Sequence, residues 1–189
     1  MVHPVGPFGP ADRVTLVRAV LACGVAGLTV ASFDRPVPVA ALVSISAVAL
    51  VLDAVDGWVA RRTHTASLFG ARFDMEVDAF LILVLSVYVA RSAGWWVLAI
   101  GAARYTFVAL RLVAPWLRGT VPPRYWCKVV AAVQGVVLTV VAAGVLPHLL
   151  AEAVLVVSLV LLAESFGREA WSLRLATHDR RRAPELVRR

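Results

Sequence analysis

Residues 37–90 read VPVAALVSISAVALVLDAVDGWVARRTHTASLFGARFDMEVDAFLILVLSVYVA. Two apolar runs, Val37–Val59 and Phe73–Ala90, flank a short connection that is rich in charged and polar residues. Each run is close to the ~20 residues that a helix needs to cross a hydrocarbon core. The stretch therefore predicts a helical hairpin in a membrane, with aspartates at the two helix ends that meet at the connection.

Four further apolar runs have a similar length: Val14–Phe33, Trp95–Leu117, Trp126–Pro147 and Leu149–Phe166. The chain is 60% hydrophobic with a mean hydropathy of +0.81, which is too apolar for a water-soluble domain of 189 residues. Because backbone in lipid must satisfy its own hydrogen bonds, the runs predict an all-α membrane protein, a bundle of six transmembrane helices. We expect residues 1–176 to form this membrane domain and residues 177–189 a basic cytoplasmic tail.

The basic residues predict the orientation of the bundle. An even number of spans places both termini on one side of the membrane, together with the connections after the second and fourth spans. Nearly all arginines between or beyond the spans fall on that side, and the opposite side has only Arg35 and Arg91. By the positive-inside rule both termini, and the Asp-rich connection, are cytoplasmic.

The composition also bears on source and partners. Of the 19 basic residues only Lys128 is a lysine, and Ala and Val dominate the apolar set, which is typical of a GC-rich and therefore bacterial genome. The formal net charge is +7, yet the basic residues lie between spans and at the C-terminus. This distribution favours a membrane surface and excludes nucleic acid as the partner.

Four aspartates stand out because an ionised carboxylate at the centre of a membrane helix costs about 2.5–3.5 kcal/mol. Asp53 and Asp56 are three residues apart, and Asp74 and Asp78 four apart, so each pair shares one helix face. Two facing helices would direct all four carboxylates at one point, where divalent cations would compensate their charge. Hard oxygen ligands favour Mg²⁺ or Mn²⁺, and two such ions suit a diphosphate substrate. The lack of a His or Cys cluster argues against zinc.

Residues between the aspartates suit a phosphate ligand as well. Gly57 has no side chain to block the approach of a phosphate to the backbone, and Arg61 supplies a guanidinium for phosphate oxygens. Ser67 adds a hydroxyl donor from the connection. The segment thus predicts a metal-assisted site for a phosphorylated substrate.

The spacing over residues 53–78 follows D-x2-D-G-x2-A-R-x8-G-x3-D-x3-D, with all eight specified residues in place. Because each residue type is used at a small fraction of positions, an accidental match of this kind is extremely rare. The pattern resembles the signature of the CDP-alcohol phosphatidyltransferase family, and the six-span layout looks like that family too. Among its members the chain is similar to the bacterial phosphatidylglycerophosphate and phosphatidylinositol phosphate synthases.

The resemblance implies roles for the residues at matching positions. Asp53, Asp56 and Asp74 look like metal ligands, and Asp78 looks like the general base and a further metal contact. Five residues match positions that hold or border the CDP part of the donor: Gly57, Arg61 and Ser67 in the signature, and Thr15 and Arg18 in a Thr-x2-Arg element of the first span.

The implied reaction is attack of an acceptor hydroxyl on the β-phosphorus of a CDP-linked donor, with CMP as the leaving group. The resemblance favours CDP-diacylglycerol as donor, a small polyol or polyol phosphate as acceptor, and a role in phospholipid biosynthesis. It also implies a homodimer, because relatives are usually homodimeric.

The acceptor pocket is expected on the remaining helices, and its candidates are all basic: Arg104, Arg111, Arg124, Lys128 and Arg168. Other interpretations stay open. Pairing with aspartates or snorkelling explains Arg104 and Arg111 as well as acceptor binding does. A positive-inside loop explains Arg124 and Lys128. Arg168 lies four residues after Glu164, a spacing typical of a simple helix pair. Glu76 is expected on a different helix face from Asp74 and Asp78.

Three alternative functions differ in what they predict. The same chemistry with a lipid acceptor or a soluble CDP-alcohol donor needs the same signature. A divalent-cation transporter needs polar residues that continue through the membrane, whereas the outer halves of the second, third and fifth spans are almost wholly apolar. An inactive structural relative is expected to lack a signature aspartate, and none is lacking.

Overall fold

The architecture comes from a computed structural model, which describes residues 10–63, 68–114 and 125–186. Within these ranges the chain is helical and contains no strand. It forms six α-helices there: α1 (Pro10–Asp34), α2 (Val39–Thr63), α3 (Leu68–Ala93), α4 (Leu98–Val113), α5 (Tyr125–Ala142) and α6 (His148–Leu186). A short 3₁₀ turn at Trp95–Val97 leads into α4. The prediction of an all-α chain with six helices in these places is confirmed.

Glycine and proline mark the helix boundaries. The pair Pro36 and Pro38 separates α1 from α2, and Gly94 has φ 101° where α3 gives way to the 3₁₀ turn. The predicted end of the fifth span at Pro147 is wrong, because α5 stops at Ala142 and Gly144 follows with φ 66°. This left-handed conformation suits glycine and ends the helix before the proline is reached.

Helix α6 is longer than its apolar run. It continues past Phe166 to Leu186 and so includes most of the predicted basic tail. The polar sequence after Thr177 therefore remains helical beyond the apolar part of the helix.

Helix α3 is the central element of the bundle and packs against α1, α4 and α5. Helices α1 and α2 also pack together, and α5 contacts both α2 and α6. Small and branched apolar side chains fill the interior, and each helix contributes to it: Ala22, Val25, Leu42, Ala49, Leu81, Leu85, Val89, Ile100, Leu138 and Leu155. This packing holds the polar ends of α1, α2 and α3 next to one another.

Two polar contacts fix the register of α1 against α3. Arg18 forms an ion pair with Asp78 near the beginning of both helices. Arg91 Nη1 donates a hydrogen bond of 2.6 Å to Ser32 Oγ near their ends. The contacts lie about 20 Å apart along each helix axis at ~1.5 Å per residue. The two helices are therefore parallel, and the Asp-rich end of the bundle lies opposite the Arg91 end.

Two helical segments in the described ranges are long and apolar enough to cross a membrane: Arg13–Asp34 and His148–Ser172. Three apolar helical stretches are shorter: Val39–Val55, Trp95–Leu110 and Val129–Ala142. Large apolar side chains are exposed on the bundle, among them Leu149 at 80% and Val113 at 81%. Lipid is a suitable solvent for such a surface. Crossing of the membrane by all six helices stays a prediction.

Buried polar side chains donate mainly to backbone carbonyls. Ser46 and Thr139 each donate to the carbonyl four residues earlier at 2.8 Å. Gln134 Nε2 donates to the Ser158 carbonyl at 2.8 Å, and the Ser158 hydroxyl donates back to the Gln134 amide oxygen, which links α5 to α6. Such bonds remove the cost of placing polar groups in an apolar interior.

Gly101 permits the close approach of α4 to α3. A Cβ at this position would lie 2.0 Å from Ser86 Oγ and 2.7 Å from the Leu83 Cα. Because the second contact is with backbone, Gly101→Ala must push the helices apart, and we expect it to destabilise the bundle by about 1–3 kcal/mol or more. Thermal unfolding in detergent should show a lower midpoint for this variant. Gly27→Ala is the matched control, because a Cβ there meets nothing within 4 Å; equal midpoints for the two variants would contradict the prediction.

Candidate active site

Three aspartates converge at one end of the bundle. Asp53 lies in the second half of α2, and Asp74 and Asp78 lie one turn apart near the start of α3. One carboxylate oxygen from each lies within 4.8 Å of the others. Each side chain is partly exposed, at 31%, 29% and 28% respectively. The predicted convergence is confirmed for these three carboxylates. The expected direct packing of α2 against α3 is wrong for the described residues, because both helices pack against α1 instead.

Arg18 on α1 lies at the centre of the three-aspartate cluster (Asp53, Asp74 and Asp78). Its Nη2 is 3.0 Å from Asp53 Oδ1 and also contacts Asp78 Oδ1, and its Nη1 contacts Asp74 Oδ1. Its Nε donates to the Ala49 carbonyl at 3.2 Å. The side chain is only 1% exposed. One guanidinium thereby ties together α1, α2 and α3.

The chemistry of the cluster fits a divalent cation. Among the described side chains one guanidinium contacts three carboxylates, so the carboxylates outnumber the positive charge there. Carboxylate oxygens are the ligands that Mg²⁺ and Mn²⁺ prefer. Partial exposure of all three aspartates leaves the oxygens accessible from outside the bundle.

Other residues expected at the donor site lie on the same elements. Thr15 is buried at 3% exposure, one turn before Arg18 on α1. Gly57 lies on α2, one turn beyond Asp53. The side chains of Asp56 and Arg61, and Ser67 as a whole, lie outside the described part of the chain.

The candidates for acceptor binding do not form one group in the described residues. Arg104 Nη2 is 2.5 Å from Glu76 Oε1, so Glu76 lies on a different face of α3 from the cluster, as predicted. The Arg104 Nε is buried and has no hydrogen-bond partner among the described residues. Arg168 forms an ion pair with Glu164 within α6, which is the helix pair that the spacing indicates. The side chains of Arg111 and Lys128, and Arg124 as a whole, lie outside the described residues.

The sequence did not identify Arg18 as the arginine that lies among the carboxylates, and its expected place at the border of the nucleotide pocket stays a prediction. A signal was present, because an arginine inside an apolar run needs an anionic partner. The same argument applies to Arg104, whose described partner is Glu76, whereas the sequence left open an aspartate partner, snorkelling or an acceptor phosphate.

Comparison with known proteins agrees with this geometry. A family model described as CDP-alcohol phosphatidyltransferase matches residues 10–163, which include the cluster, Arg18, α1 to α5 and the first part of α6. The chain belongs to the CDP-alcohol phosphatidyltransferase family. No curated protein and no solved structure matches the chain.

Membership of the CDP-alcohol phosphatidyltransferases establishes the reaction class. The protein is an enzyme that transfers a substituted phosphate group from a CDP-alcohol donor to an alcohol acceptor. The family is membrane-bound and metal-dependent, and in this member the three-aspartate cluster is a group that suits a metal ion.

Proposed function

We propose that this enzyme transfers a phosphatidyl group from CDP-diacylglycerol to a hydroxyl of a small polyol or polyol phosphate in phospholipid biosynthesis. CMP is the second product. The convergence of Asp53, Asp74 and Asp78 carries the proposal, because it assembles carboxylates from both halves of the family signature at one point. The exposed apolar surface of the surrounding helices supports a lipid-linked donor.

Asp78 is the proposed general base. An acceptor hydroxyl is a weak nucleophile until a carboxylate accepts its proton. The acceptor oxygen then forms a bond to the β-phosphorus, the bond from that phosphorus to the bridging oxygen breaks, and CMP departs with the electron pair. Asp78 lies one turn further along α3 than Asp74, toward the middle of the helix, and the proposal has the acceptor enter from the lipid on that side.

Asp53, Asp56, Asp74 and Asp78 are the proposed ligands of two divalent ions, Mg²⁺ or Mn²⁺. When bound, these ions supply positive charge that neutralises the diphosphate and stabilises the departing CMP. The support is the carboxylate-only donor set and the excess negative charge around Arg18. The role of the aspartates is to hold the ions at the reacting end of the donor.

Gly57, Arg61 and Ser67, with Thr15 and Arg18, are the proposed contacts of the CDP part. The position of Thr15 and Arg18 on α1, directly beside the cluster, supports this for the N-terminal pair. The position of Gly57 on α2, one turn after Asp53, supports its role as a donor contact, because a glycine there lets a phosphate approach the helix backbone.

Five basic residues of the second half of the chain are the proposed acceptor contacts: Arg104, Arg111, Arg124, Lys128 and Arg168. The best support comes from Arg104, which is one-third exposed and has a buried Nε without a partner in the described ranges. An acceptor phosphate would satisfy such a donor. We also propose that the enzyme is a bacterial membrane protein that crosses the membrane six times, with both termini in the cytoplasm. It is proposed to act as a homodimer.

Release of labelled CMP from CDP-diacylglycerol by the purified enzyme tests the proposal. Glycerol 3-phosphate, inositol phosphate, inositol, serine and phosphatidylglycerol are added one at a time, with Mg²⁺, with Mn²⁺ or with a chelator. We expect release with one of the first three acceptors and none with the chelator. Release with phosphatidylglycerol alone would identify a lipid acceptor, and release only from a soluble CDP-alcohol would overturn the lipid donor.

A further inference from the structure

Arg18 contacts one oxygen of each carboxylate in the three-aspartate cluster, and these are the groups that a divalent cation needs. We propose that Arg18 is an internal counter-ion that competes with the divalent cation, so that cation binding displaces its guanidinium from the cluster. The inference rests on the proposed function in one respect, namely that the cluster binds the cation.

Competition follows from the chemistry of the guanidinium. A guanidinium cannot lose its proton in a protein, so it cannot relieve its repulsion of a second cation by becoming neutral. Arg18 is 1% exposed, so little solvent surrounds its guanidinium to screen its repulsion of a cation held by the same carboxylates. The guanidinium and a divalent ion therefore cannot both hold all three oxygens, and one of them must give up contacts.

The contacts of Arg18 with the described residues above are of two kinds. Nη1 and Nη2 contact carboxylates, whereas Nε donates to the neutral carbonyl of Ala49 at 3.2 Å. A cation in the cluster repels the guanidinium from the carboxylates but does not compete for the Ala49 carbonyl. Arg18 can thus stay anchored to α2 while its two terminal nitrogens turn away. Freed in this way, they are suited to the oxygens of a phosphate group.

Arg18 has a second effect in the absence of the cation. Its contacts join α1 to Asp53 on α2 and to Asp74 and Asp78 on α3. Without a positive charge, three carboxylates in one cluster would repel each other and separate the helices. Arg18 therefore keeps the cluster assembled until a cation arrives, at the expense of cation affinity.

Arg18→Gln tests both effects with Mn²⁺ alone, without nucleotide or lipid. Free Mn²⁺ is measured by electron paramagnetic resonance during titration of the purified protein, and thermal unfolding is measured with and without Mn²⁺. We expect the variant to bind Mn²⁺ about tenfold more tightly, within the usual range of coupling between two sites. Its cation-free form should unfold at a lower temperature, and its unfolding temperature should rise more on Mn²⁺ addition than that of the wild type.

Arg91→Gln is the matched control. Arg91 lies on the same pair of helices, but it donates to Ser32 at the opposite end of the bundle. Its loss removes an arginine contact between α1 and α3 without touching the cluster, and Mn²⁺ affinity should equal that of the wild type. A tenfold change in this control as well would overturn the inference, because the effect would then come from general loosening of the helix pair.

Arg18→Lys covers the case in which the glutamine variant does not fold. Lysine keeps the positive charge but lacks the fork that contacts several carboxylates together, so Mn²⁺ affinity should lie between those of the wild type and the glutamine variant. Unchanged or weaker affinity in either variant would overturn the inference while leaving the metal site intact. Absence of Mn²⁺ binding in the wild type and both variants would instead contradict the metal site of the proposed function.

Discussion

Asp78→Asn should lower turnover by a factor of about 10²–10⁴, the usual contribution of a general base, while donor binding is largely retained. The amide has nearly the shape of the carboxylate but cannot accept a proton from the acceptor hydroxyl. Asp53 and Asp74 keep their carboxylates, and neither reaches Arg18 through Asp78, so the variant retains two carboxylates for a cation. Labelled CMP release measures turnover, and binding of the CDP donor in the presence of Mn²⁺ measures affinity.

Glu152→Gln is the control for loss of a carboxylate outside the cluster. Glu152 lies 3.7 Å from His148 in the first turns of α6 and takes no part in the three-aspartate cluster. The turnover of the Glu152→Gln variant should equal that of the wild type. Turnover by Asp78→Asn within a few-fold of the wild type would remove Asp78 as the base.

Asp74→Asn should mainly weaken the Mn²⁺-dependent binding of the CDP donor, whereas Asp78→Asn mainly lowers turnover. Asp74 belongs to the three-aspartate cluster and contacts Arg18 Nη1, and its loss removes one hard oxygen ligand. We expect the Mn²⁺ concentration needed for donor binding to rise by more than about 100-fold, because loss of even an outer-shell partner costs 10–100-fold. Donor binding is titrated against Mn²⁺ for the wild type and the variant.

Asp34→Asn is the matched control for Asp74→Asn. Asp34 is the last residue of α1, at the Arg91 end of the bundle, so its loss lowers the negative charge by the same amount far from the cluster. An equal Mn²⁺ requirement in Asp74→Asn and the wild type would discount Asp74 as a ligand. A large shift in both variants would indicate that net charge alone sets the requirement.

Much of the fold could be predicted because membrane helices are encoded locally. An apolar run of sufficient length predicts a helix wherever it occurs, and Pro36 and Gly94 end such runs visibly. The end of α5 was harder, because a helix can stop at any residue from Ala142 to Pro147 without exposing polar side chains. The left-handed conformation of Gly144 decides it, and a glycine in an apolar run does not by itself indicate that conformation.

The sequence by itself determined the helices, the family signature and the position of Asp74 and Asp78 on one face of α3. These features depend on residue spacing along single helices, for which the period of the helix is sufficient. The convergence of Asp53 with that pair also needs the packing of α2 and α3 against α1. The tertiary structure alone decided the partners of the arginines. Arg18 lies 56 and 60 residues from Asp74 and Asp78, and Arg104 lies 28 residues from Glu76. A buried arginine requires an anion, but any nearby carboxylate satisfies that requirement, so only the packing of α1 and α4 against α3 selects which one it meets.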